Sequence, residues 1–395
     1  ITIDGNNVLE VYETISNLAK ELRKGSGPVI VEAMTFRMRG HEEASGVDYI
    51  SKSIFKDWAK KDPLETYKKY LKSNKILNNK IQNKINQKIN DKIDSSFELA
   101  LNAKKPKSDK TKEINDVFKS YLFDKKDAIG QDEEQRYVDS ISNTLKEIMR
   151  KDKSTIIMGQ DVCEYGGVFK ITKDFVEEFG SDRIRNTPII ESGILGASVG
   201  LSLEGFKPII EMQFADFVSC GFNQIVNNIA KTHYRWNEAL NITIRMPYGG
   251  GMSAGPFHSQ SPEAWFFHTP GLKIVAPSTP YDAKGLLNSS IQDPNPVLYF
   301  EHKYMYRSIK GLVPKNEFNI EIGKADIKKK GNDLSVITYG MGVHWALDIA
   351  NKLENNNISI EVVDLRSLIP WDKDLVRESI SRTNRVLILH EANLT

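Results

Sequence analysis

Two stretches of the sequence carry side chains that could transfer protons. The first is Thr187-Pro188-Ile189-Ile190-Glu191-Ser192-Gly193, where a carboxylate follows a short apolar run and precedes small residues that predict the start of a helix. An ionised Glu191 among apolar neighbours is costly unless it is paired, so we expect it to face water or to take a partner. The second stretch, residues 249–263, opens with three glycines and places His258 at the tip of a loop. A carboxyl and an imidazole beside strands indicate proton-transfer chemistry.

Strand-like runs alternate with helix-like runs around these two stretches. The runs are Ser154–Met158, Phe175–Phe179, Thr187–Ile190, Gly193–Leu203, Pro208–Met212, Asn223–His233 and Ile242–Met246. Such alternation predicts a parallel sheet wrapped by helices. A second βαβ pattern occupies residues 334–389. The sequence therefore predicts an α/β fold with a further α/β domain behind the first.

The first hundred residues have a different pattern. Apolar residues at helical spacing predict a helix over Val8–Leu22, and a continuous apolar run predicts a buried strand over Pro28–Phe36. Leu77, Ile81, Ile85, Ile89, Ile93 and Phe97 recur at intervals of four. Their neighbours are mostly Asn, Lys and Gln, so a long surface helix and a compositionally biased tail both fit. The Lys- and Asp-rich residues 104–130 are typical of a linker.

Composition excludes several classes of protein. With 54 Lys and Arg against 52 Asp and Glu, the net charge of +2 gives no support to a nucleic-acid-binding protein. Cys163 and Cys220 are too few for a disulfide framework or a cysteine metal site, which favours a reducing compartment. There is no apolar run of about 18 residues to span a membrane and no signal-peptide pattern. We expect a cytoplasmic protein.

Further segments carry a resemblance to a known family. They are Glu164–Phe169 (EYGGVF), Glu211–Phe217 (EMQFADF), Pro270–Val275 (PGLKIV) and Asp282–Leu287 (DAKGLL). With the two stretches above, their order and spacing resemble the beta half of the decarboxylating component of 2-oxo acid dehydrogenase complexes, which uses thiamine diphosphate. The resemblance covers residues 135–395, and Glu32–His41 (EAMTFRMRGH) resembles the end of the alpha half. Two subunits that are usually separate therefore look fused in this chain.

The resemblance implies a domain organisation. Residues 1–104 would be the C-terminal part of an alpha-like cofactor-binding domain with a helical tail, and 105–132 a linker. Residues 133–308 would be a transketolase-like pyrimidine-binding domain, a parallel sheet with helices on both faces. Residues 309–395 would be a truncated domain similar to the transketolase C-terminal domain. Because the chain starts at Ile1 and stops just after a predicted strand, we expect it to be a segment of a longer polypeptide.

The resemblance also implies roles for individual residues. Glu191 would hydrogen-bond the pyrimidine nitrogen of the cofactor, although an exposed acid at a helix N-terminus also fits. His258 would lie near the reacting carbonyl and the incoming lipoyl group. Ile189, Gln213 and Phe217 would line the pyrimidine pocket, with Phe217 replacing a tyrosine that is often found there. For Gln213 and Phe217, packing at the start of a helix is the alternative.

The cofactor's diphosphate and its cations are predicted in the same way. The polar loop after residue 36 carries Arg37, whose fork of donors suits phosphate oxygens, and His41. From the residues alone a solvated basic loop is favoured, whereas the resemblance assigns both side chains to the diphosphate and gives His41 a catalytic place. The Gly-Asp-Gly segment that binds Mg²⁺ in the family has no match, so its ligands are expected upstream of residue 1. A K⁺ site built mainly from backbone oxygens is implied at Ile242, Thr243, Ser290, Asp293 and Asn295, where a simple turn also fits.

The activity implied is oxidative decarboxylation of a 2-oxo acid with reductive acylation of a lipoyl group on a partner acyltransferase. Residues 258–263 (HSQSPE) look more like the branched-chain, 2-oxoisovalerate members than the pyruvate members. A pyruvate-type enzyme, another transketolase-like thiamine enzyme and a non-catalytic assembly fragment are the alternatives. In the family the two halves meet at a subunit interface, so the site needs self-association or an alpha-like half. The fragment by itself is expected to be inactive.

Overall fold

A computed structural model describes residues 1–42 and 44–393 of the chain. Residue 43, in the predicted phosphate loop, and the last two residues of the predicted domain 309–395 lie outside the described part. The chain separates into two compact units, residues 1–107 and the remainder. No helix in the described ranges is both long enough and apolar enough to cross a membrane.

The first unit, as far as it is described, pairs a small parallel sheet with four helices. Its elements are β1 (Thr2–Asp4), α1 (Val8–Leu22), β2 (Glu32–Met34), α2 (Lys52–Ala59), α3 (Pro63–Ser73) and α4 (Asn79–Asn102). Helix α1 has the predicted bounds because Asn7 accepts a hydrogen bond from the Glu10 amide as its N-cap. Asp62 caps α3 and Pro63 opens it.

Two predictions for this unit have different outcomes. The buried strand predicted over Pro28–Phe36 is wrong, since only Glu32–Met34 is a strand and all three residues are exposed. In the described part of the chain it belongs to a two-stranded sheet with β1. The spaced isoleucines lie on the 24-residue helix α4, which is the surface-helix alternative, and none of its residues is buried.

The second unit contains a seven-stranded sheet and a smaller four-stranded sheet. From its start to the last strand of the large domain, the elements are α5 (Lys110–Asn115), β3 (Asp132–Arg136), α6 (Tyr137–Lys151), β4 (Thr155–Gly159), α7 (Phe175–Phe179), β5 (Ile184–Asn186), α8 (Glu191–Leu203), β6 (Lys207–Glu211), α9 (Thr232–Trp236), β7 (Thr243–Tyr248), β8 (Lys273–Val275), α10 (Pro280–Gln292) and β9 (Val297–His302). Between β6 and β8 lie 3₁₀ segments at Ala215–Gly221, Pro256–His258 and Pro262–Phe266 and a π-helix at Gln224–Ile229.

The remaining elements complete both sheets. They are α11 (Met305–Ser308), β10 (Lys310–Pro314), β11 (Asp326–Lys329), β12 (Leu334–Thr338), α12 (Met341–Glu354), β13 (Ile360–Asp364), β14 (Ser367–Ile369), α13 (Lys373–Thr383) and β15 (Val386–Ile388). The large sheet has the order β14-β8-β9-β7-β6-β4-β5, parallel except for β14 at its edge. The small sheet has the order β11-β13-β12-β15, and β3 pairs with β10 separately.

Two apolar cores lie on opposite faces of the large sheet. Along β4, Ile157 belongs to the core formed with α6 and α10, whereas Ile156 and Met158 belong to the core formed with α8 and the π-helix. This alternation follows from the two-residue period of a strand. Helices therefore cover both faces, and the predicted α/β fold is confirmed.

The strand expected over Thr187–Ile190 is not present. Strand β5 ends at Asn186, and the apolar residues after it form a connection in which Ile189 is 86% exposed. Pro188 cannot donate a backbone hydrogen bond, which disfavours continuation of the strand. Glu191 therefore follows a loop instead of a strand.

Residues 117–128, which we call the strap, are hydrogen-bonded to the large domain although they fall in the predicted linker. The side-chain amide of Asn295 accepts from the Lys119 amide at 2.7 Å and donates to the Lys119 carbonyl at 2.9 Å. Asn319 accepts from the Lys126 amide at 2.7 Å and donates to the Asp124 carbonyl at 2.5 Å. Two side-chain amides thus bind the strap as a neighbouring strand would.

Candidate active site

Glu191 is the first residue of α8 and is buried, with 7% of its surface exposed. Its Oε1 accepts a hydrogen bond of 3.2 Å from Nε2 of Gln160, the residue that follows β4. The partial positive charge of the helix N-terminus and this amide donor compensate for the loss of hydration. The alternative of an exposed helix-terminal acid is therefore wrong for this side chain.

The carboxyl ends of β4 and β6 hold the next site residues. Gln213, two residues after β6, donates from Nε2 to Oδ2 of Asp161 at 3.2 Å. Because Gln160 and Asp161 are adjacent, one short loop after β4 binds both Glu191 and Gln213. Strand β4 lies between β5 and β6, so the chain changes direction across the sheet here, where open α/β sheets form a ligand crevice.

His258 lies against two aromatic rings from the segment after β6. Its ring centroid is 4.7 Å from that of Phe214 and 5.5 Å from that of Phe217, with interplanar angles of 87° and 82°. Phe169 in turn packs edge-on against Phe214 at 5.7 Å. Edge-to-face packing restricts the orientation of the imidazole.

The 3₁₀ segment that carries Phe217 packs closely on the start of α8. A Cβ atom at Gly221 would lie 2.3 Å from Leu195 Cδ1 and 3.5 Å from the Glu191 carbonyl carbon. Glycine at 221 therefore permits the close approach. The structure brings Glu191, Gln213, Phe217 and His258 to one edge of the sheet.

The apolar residues before Glu191 point outward. Ile189 is 86% exposed and Ile190 is 53% exposed. An exposed apolar surface next to a buried carboxyl can accept a flat heteroaromatic ring that stacks on one group and hydrogen-bonds the other.

A buried ion network lies beneath this edge. Arg245 on β7 is fully buried and donates from Nε and one terminal nitrogen to both oxygens of Glu301, at 2.6 and 2.8 Å. Its other terminal nitrogen donates to Glu211 at 2.6 Å, and Tyr306 donates to Glu301 at 2.7 Å. Burial raises the pKa of Glu211, against the opposing effect of Arg245. The two carboxylates raise the pKa of Arg245 although burial opposes this, so the guanidinium stays charged.

Three family descriptions match successive parts of the chain. "Dehydrogenase E1 component" matches residues 1–109, "Transketolase, pyrimidine binding domain" residues 133–308 and "Transketolase, C-terminal domain" residues 323–395. The chain is 49% identical over 257 residues to the 2-oxoisovalerate dehydrogenase subunit beta of Bacillus subtilis (strain 168), covering 65% of this chain and 79% of that protein. The chain belongs to the thiamine-diphosphate-dependent 2-oxo acid dehydrogenase family.

Other relatives support the same family. The chain is 44% identical to the pyruvate dehydrogenase E1 component subunits beta of Staphylococcus aureus (strain N315) and Bacillus subtilis (strain 168), each alignment covering 65% of this chain and 79% of the relative. A solved structure titled "Split gene transketolase, inactive beta4 tetramer" matches with a TM-score of 0.53 and 23% identity, over 65% of this chain and 79% of that one. This structural likeness supports the transketolase-like fold.

Arg37 and His41 of this chain were expected to bind the cofactor's diphosphate. Both side chains are exposed in the first unit, and Arg37 donates a hydrogen bond of 2.8 Å to the backbone carbonyl of His41. Phe36 holds the start of this loop by packing on Phe55 and Trp58 at centroid distances of 5.3 and 5.9 Å. The predicted site residues are thus divided between the two units.

The predicted K⁺ residues are engaged with one another and with the strap. Oδ2 of Asp293 accepts from Nζ of Lys273 at 2.5 Å and from the Tyr121 hydroxyl at 2.9 Å, and its Oδ1 accepts from the Asn295 amide at 2.9 Å. The carboxylate is therefore already neutralised by an ammonium group.

Two backbone oxygens among the predicted K⁺ positions accept hydrogen bonds from the protein. The Ile242 carbonyl accepts from the Val297 amide at 2.9 Å, and the Ser290 carbonyl accepts from the Thr243 hydroxyl at 3.2 Å. Because a carbonyl oxygen has two lone pairs, an oxygen that accepts one hydrogen bond could also contact a cation. A cation bound here would therefore rely on backbone oxygens. Within the described ranges, no group of three or more His, Cys, Asp and Glu side chains is placed to hold a metal ion.

Several residues of the site escaped the sequence prediction. Gln160 supports Glu191, Phe214 packs on His258, and Asp216, Lys303 and Glu391 lie behind the His258 loop. Phe214 and Asp216 lie in Glu211–Phe217, one of the segments that carry the family resemblance, and this location could have marked them as site residues. Gln160 and Glu391 gave no such signal, because their contacts are 31 and 141 residues away along the chain.

Proposed function

We propose that this chain forms the pyrimidine side of the active site in the decarboxylating component of a 2-oxo acid dehydrogenase complex. The observation that carries the proposal is a buried Glu191 at a helix N-terminus, held by Gln160 at the carboxyl edge of the sheet. When bound, thiamine diphosphate supplies the electron sink that decarboxylation requires.

Glu191 would hold a proton in a hydrogen bond with the pyrimidine nitrogen. Its low exposure excludes water that would compete for the bond, and Gln160 fixes the orientation of the carboxyl. Ile189, Gln213 and Phe217 would surround the ring, with exposed Ile189 offering apolar contact. Arg37 and His41 would both donate hydrogen bonds to the diphosphate.

His258 would donate a proton to the lipoyl sulfur during acyl transfer. An imidazole can act both as a donor and as an acceptor of that proton. Phe214 and Phe217 restrict its ring, so its reach is set by the loop that carries it. The partner would be the lipoyl acyltransferase of the complex.

For the substrate we propose a branched-chain 2-oxo acid. The sequence of residues 258–263 supports this choice, as does the 49% identity to the 2-oxoisovalerate relative against 44% to the pyruvate relatives. Pyruvate is the second candidate. Dye-coupled turnover by the full-length protein should be faster with 3-methyl-2-oxobutanoate, and faster turnover of pyruvate would reverse the assignment.

Several further features belong to the same proposal. Mg²⁺ would be bound by ligands outside these 395 residues, and K⁺ by backbone oxygens at the five predicted positions. A second copy or an alpha-like half would complete the site. We also propose that the domains and the linker end at residues 104, 132 and 308, as the resemblance implies. The unpaired Cys163 and Cys220 support a reducing, cytoplasmic location.

The test compares two glutamates on one helix. Glu191→Gln in the full-length protein should lower dye-coupled turnover at least ~100-fold, because an amide cannot give up and recover a proton as a carboxyl can. Glu204→Gln, at the exposed C-terminal cap of α8, should leave turnover unchanged. Full activity of Glu191→Gln would overturn the proposal. Activity only with ketose phosphates would favour another transketolase-like enzyme, and no thiamine diphosphate binding would favour an assembly role.

A further inference from the structure

The loop that carries His258 has a backbone that needs external support. We define the His258 loop as residues 249–260, between β7 and the 3₁₀ segment Pro262–Phe266. Four of its residues, Gly249, Gly251, Ser253 and Gly255, have positive φ angles of 88°, 81°, 56° and 75°. Glycines at such positions leave many conformations open to the unconstrained chain, so contacts at the loop's ends decide where His258 lies.

The first support is the peptide group of Gln260. Its amide donates to Oδ1 of Asp216 at 3.0 Å, and its carbonyl accepts from the Gly249 amide at 3.0 Å. The bond to Gly249 joins the two ends of the loop, which we call its neck. The bond to Asp216 attaches this neck to the 3₁₀ segment Ala215–Gly221. Asp216 is 5% exposed and lies between Phe214 and Phe217, the residues that flank the His258 ring.

The second support comes from the end of the C-terminal domain. Oε1 of Glu391 accepts from the Gly250 amide at 2.7 Å. Its Oε2 is 2.5 Å from Nε2 of His302, a buried residue at the end of β9. The carboxylate thus links the loop to a strand of the large sheet.

Lys303 lies between the two supports. It is 2% exposed, donates to the Pro247 carbonyl at 3.4 Å and has its Nζ 5.6 Å from the centroid of the Phe214 ring. Asp216 and Glu391 both act on its charge, each favouring the ammonium form. Lys303 therefore couples the two supports electrostatically.

We infer that Asp216 and Glu391 are positioning residues that clamp the neck of the His258 loop and thereby set the reach of His258 toward the acyl-accepting group. Within the described ranges the second oxygen of Asp216 has no hydrogen-bond partner, so its single bond to the Gln260 amide is the direct contact with the loop. The role of His258 rests on the proposed function, whereas the clamp is a property of the fold.

The clamp is measurable without catalysis by amide hydrogen exchange on the 395-residue chain. Asp216→Leu and Glu391→Leu each remove one support and should speed exchange over residues 249–260 about tenfold, through local opening. Asp216→Asn and Glu391→Gln retain an acceptor oxygen and should restore most of the protection. Asp348→Asn, in a surface pair with Lys352, is the control.

Exchange over β7 reports whether each variant is folded. Unchanged loop protection in either folded Leu variant would overturn the clamp, as would an Asp216→Asn variant as fast as Asp216→Leu. If Asp216→Leu does not fold, the Glu391 pair decides alone, since its side chain is partly exposed outside the cores.

The positioning role is tested in the full-length protein with its lipoyl partner. The ratio of lipoyl-dependent turnover to dye reduction should fall about tenfold in Asp216→Leu and recover in Asp216→Asn, because acyl transfer to the lipoyl group needs His258 and dye reduction does not. A faster-exchanging loop with an unchanged ratio would refute positioning while leaving the clamp. Absence of dye reduction in the unmodified protein would refute the proposed function, and the exchange result would still stand.

Discussion

The Nε2 atom of Gln160 donates a hydrogen bond of 3.2 Å to Oε1 of Glu191, across the gap between the end of β4 and the start of α8. The two residues are both buried and 31 positions apart in the chain. This contact fixes the carboxyl where the crevice of a parallel sheet opens. Loss of this contact should therefore affect both the stability of the sheet edge and the chemistry proposed for Glu191.

Gln160→Leu should weaken both stability and catalysis. It leaves the Glu191 carboxyl buried without its amide donor, which costs about 1–3 kcal/mol in the free energy of unfolding. Urea denaturation measures the loss, and dye-coupled turnover should fall in parallel. The matched control is Gln292→Leu, at the exposed C-terminal end of α10. Equal unfolding midpoints for the Gln160 variant and the unmodified chain would contradict the contact's role.

Arg245→Met should be among the most destabilising substitutions in the second unit. It leaves Glu211 and Glu301 buried without their shared cation, which costs about 3–5 kcal/mol. Denaturant unfolding of the 395-residue chain gives the value. Arg150→Met breaks a solvent-exposed pair with Glu178 and should leave the midpoint unchanged. Similar unfolding midpoints for the two variants would show that the network does not contribute to the stability of the second unit.

The burial of Lys303 should make the stability of the folded chain depend on pH. Burial lowers its pKa from the ordinary value of 10.5 to about 8. Between these values the unfolded chain binds a proton that the folded chain has lost, so this group makes stability rise with pH from about 8 to 10.5. The stability difference between the unmodified chain and Lys303→Met should therefore shift toward the unmodified chain across that window. Parallel stability curves from pH 7 to 10.5 would exclude the lowered pKa.

The strap predicts a pattern of proteolysis. Asn319→Ala removes the amide that binds the Lys126 amide and the Asp124 carbonyl, so residues 117–128 should open more often. Trypsin should then cleave after Lys119, Lys125 or Lys126 several-fold faster than in the unmodified chain. Asn356→Ala, at an exposed position after α12, is the control. Equal cleavage rates would show that the Asn319 side chain does not hold the strap.

Local signals predicted much of the secondary structure. Helix α1 has the expected bounds because apolar periodicity, the Asn7 cap and Gly25 all act within a few residues. The position of Glu191 at the start of α8 also followed from its own neighbourhood. The strand over Thr187–Ile190 was wrong because an apolar run alone does not distinguish a strand from a connection that exposes its side chains.

Contacts between distant segments could not be predicted. Gly250 and Glu391 are 141 positions apart, and Lys119 and Asn295 are 176 apart. No periodicity or motif links such pairs, since only the packing of domain and strap brings them together. The support of the His258 loop and the docking of the strap were therefore visible only in the fold.

We expect the Glu191 carboxyl to bind the pyrimidine ring of thiamine diphosphate. A crystal structure of the full-length protein with thiamine diphosphate and Mg²⁺ would reveal this contact or its absence. In that structure a Glu191 oxygen should lie about 2.6–3.2 Å from a pyrimidine nitrogen, with the Gln160 bond retained. A cofactor bound elsewhere, or a Glu191 side chain turned into solvent in the complex, would contradict this expectation.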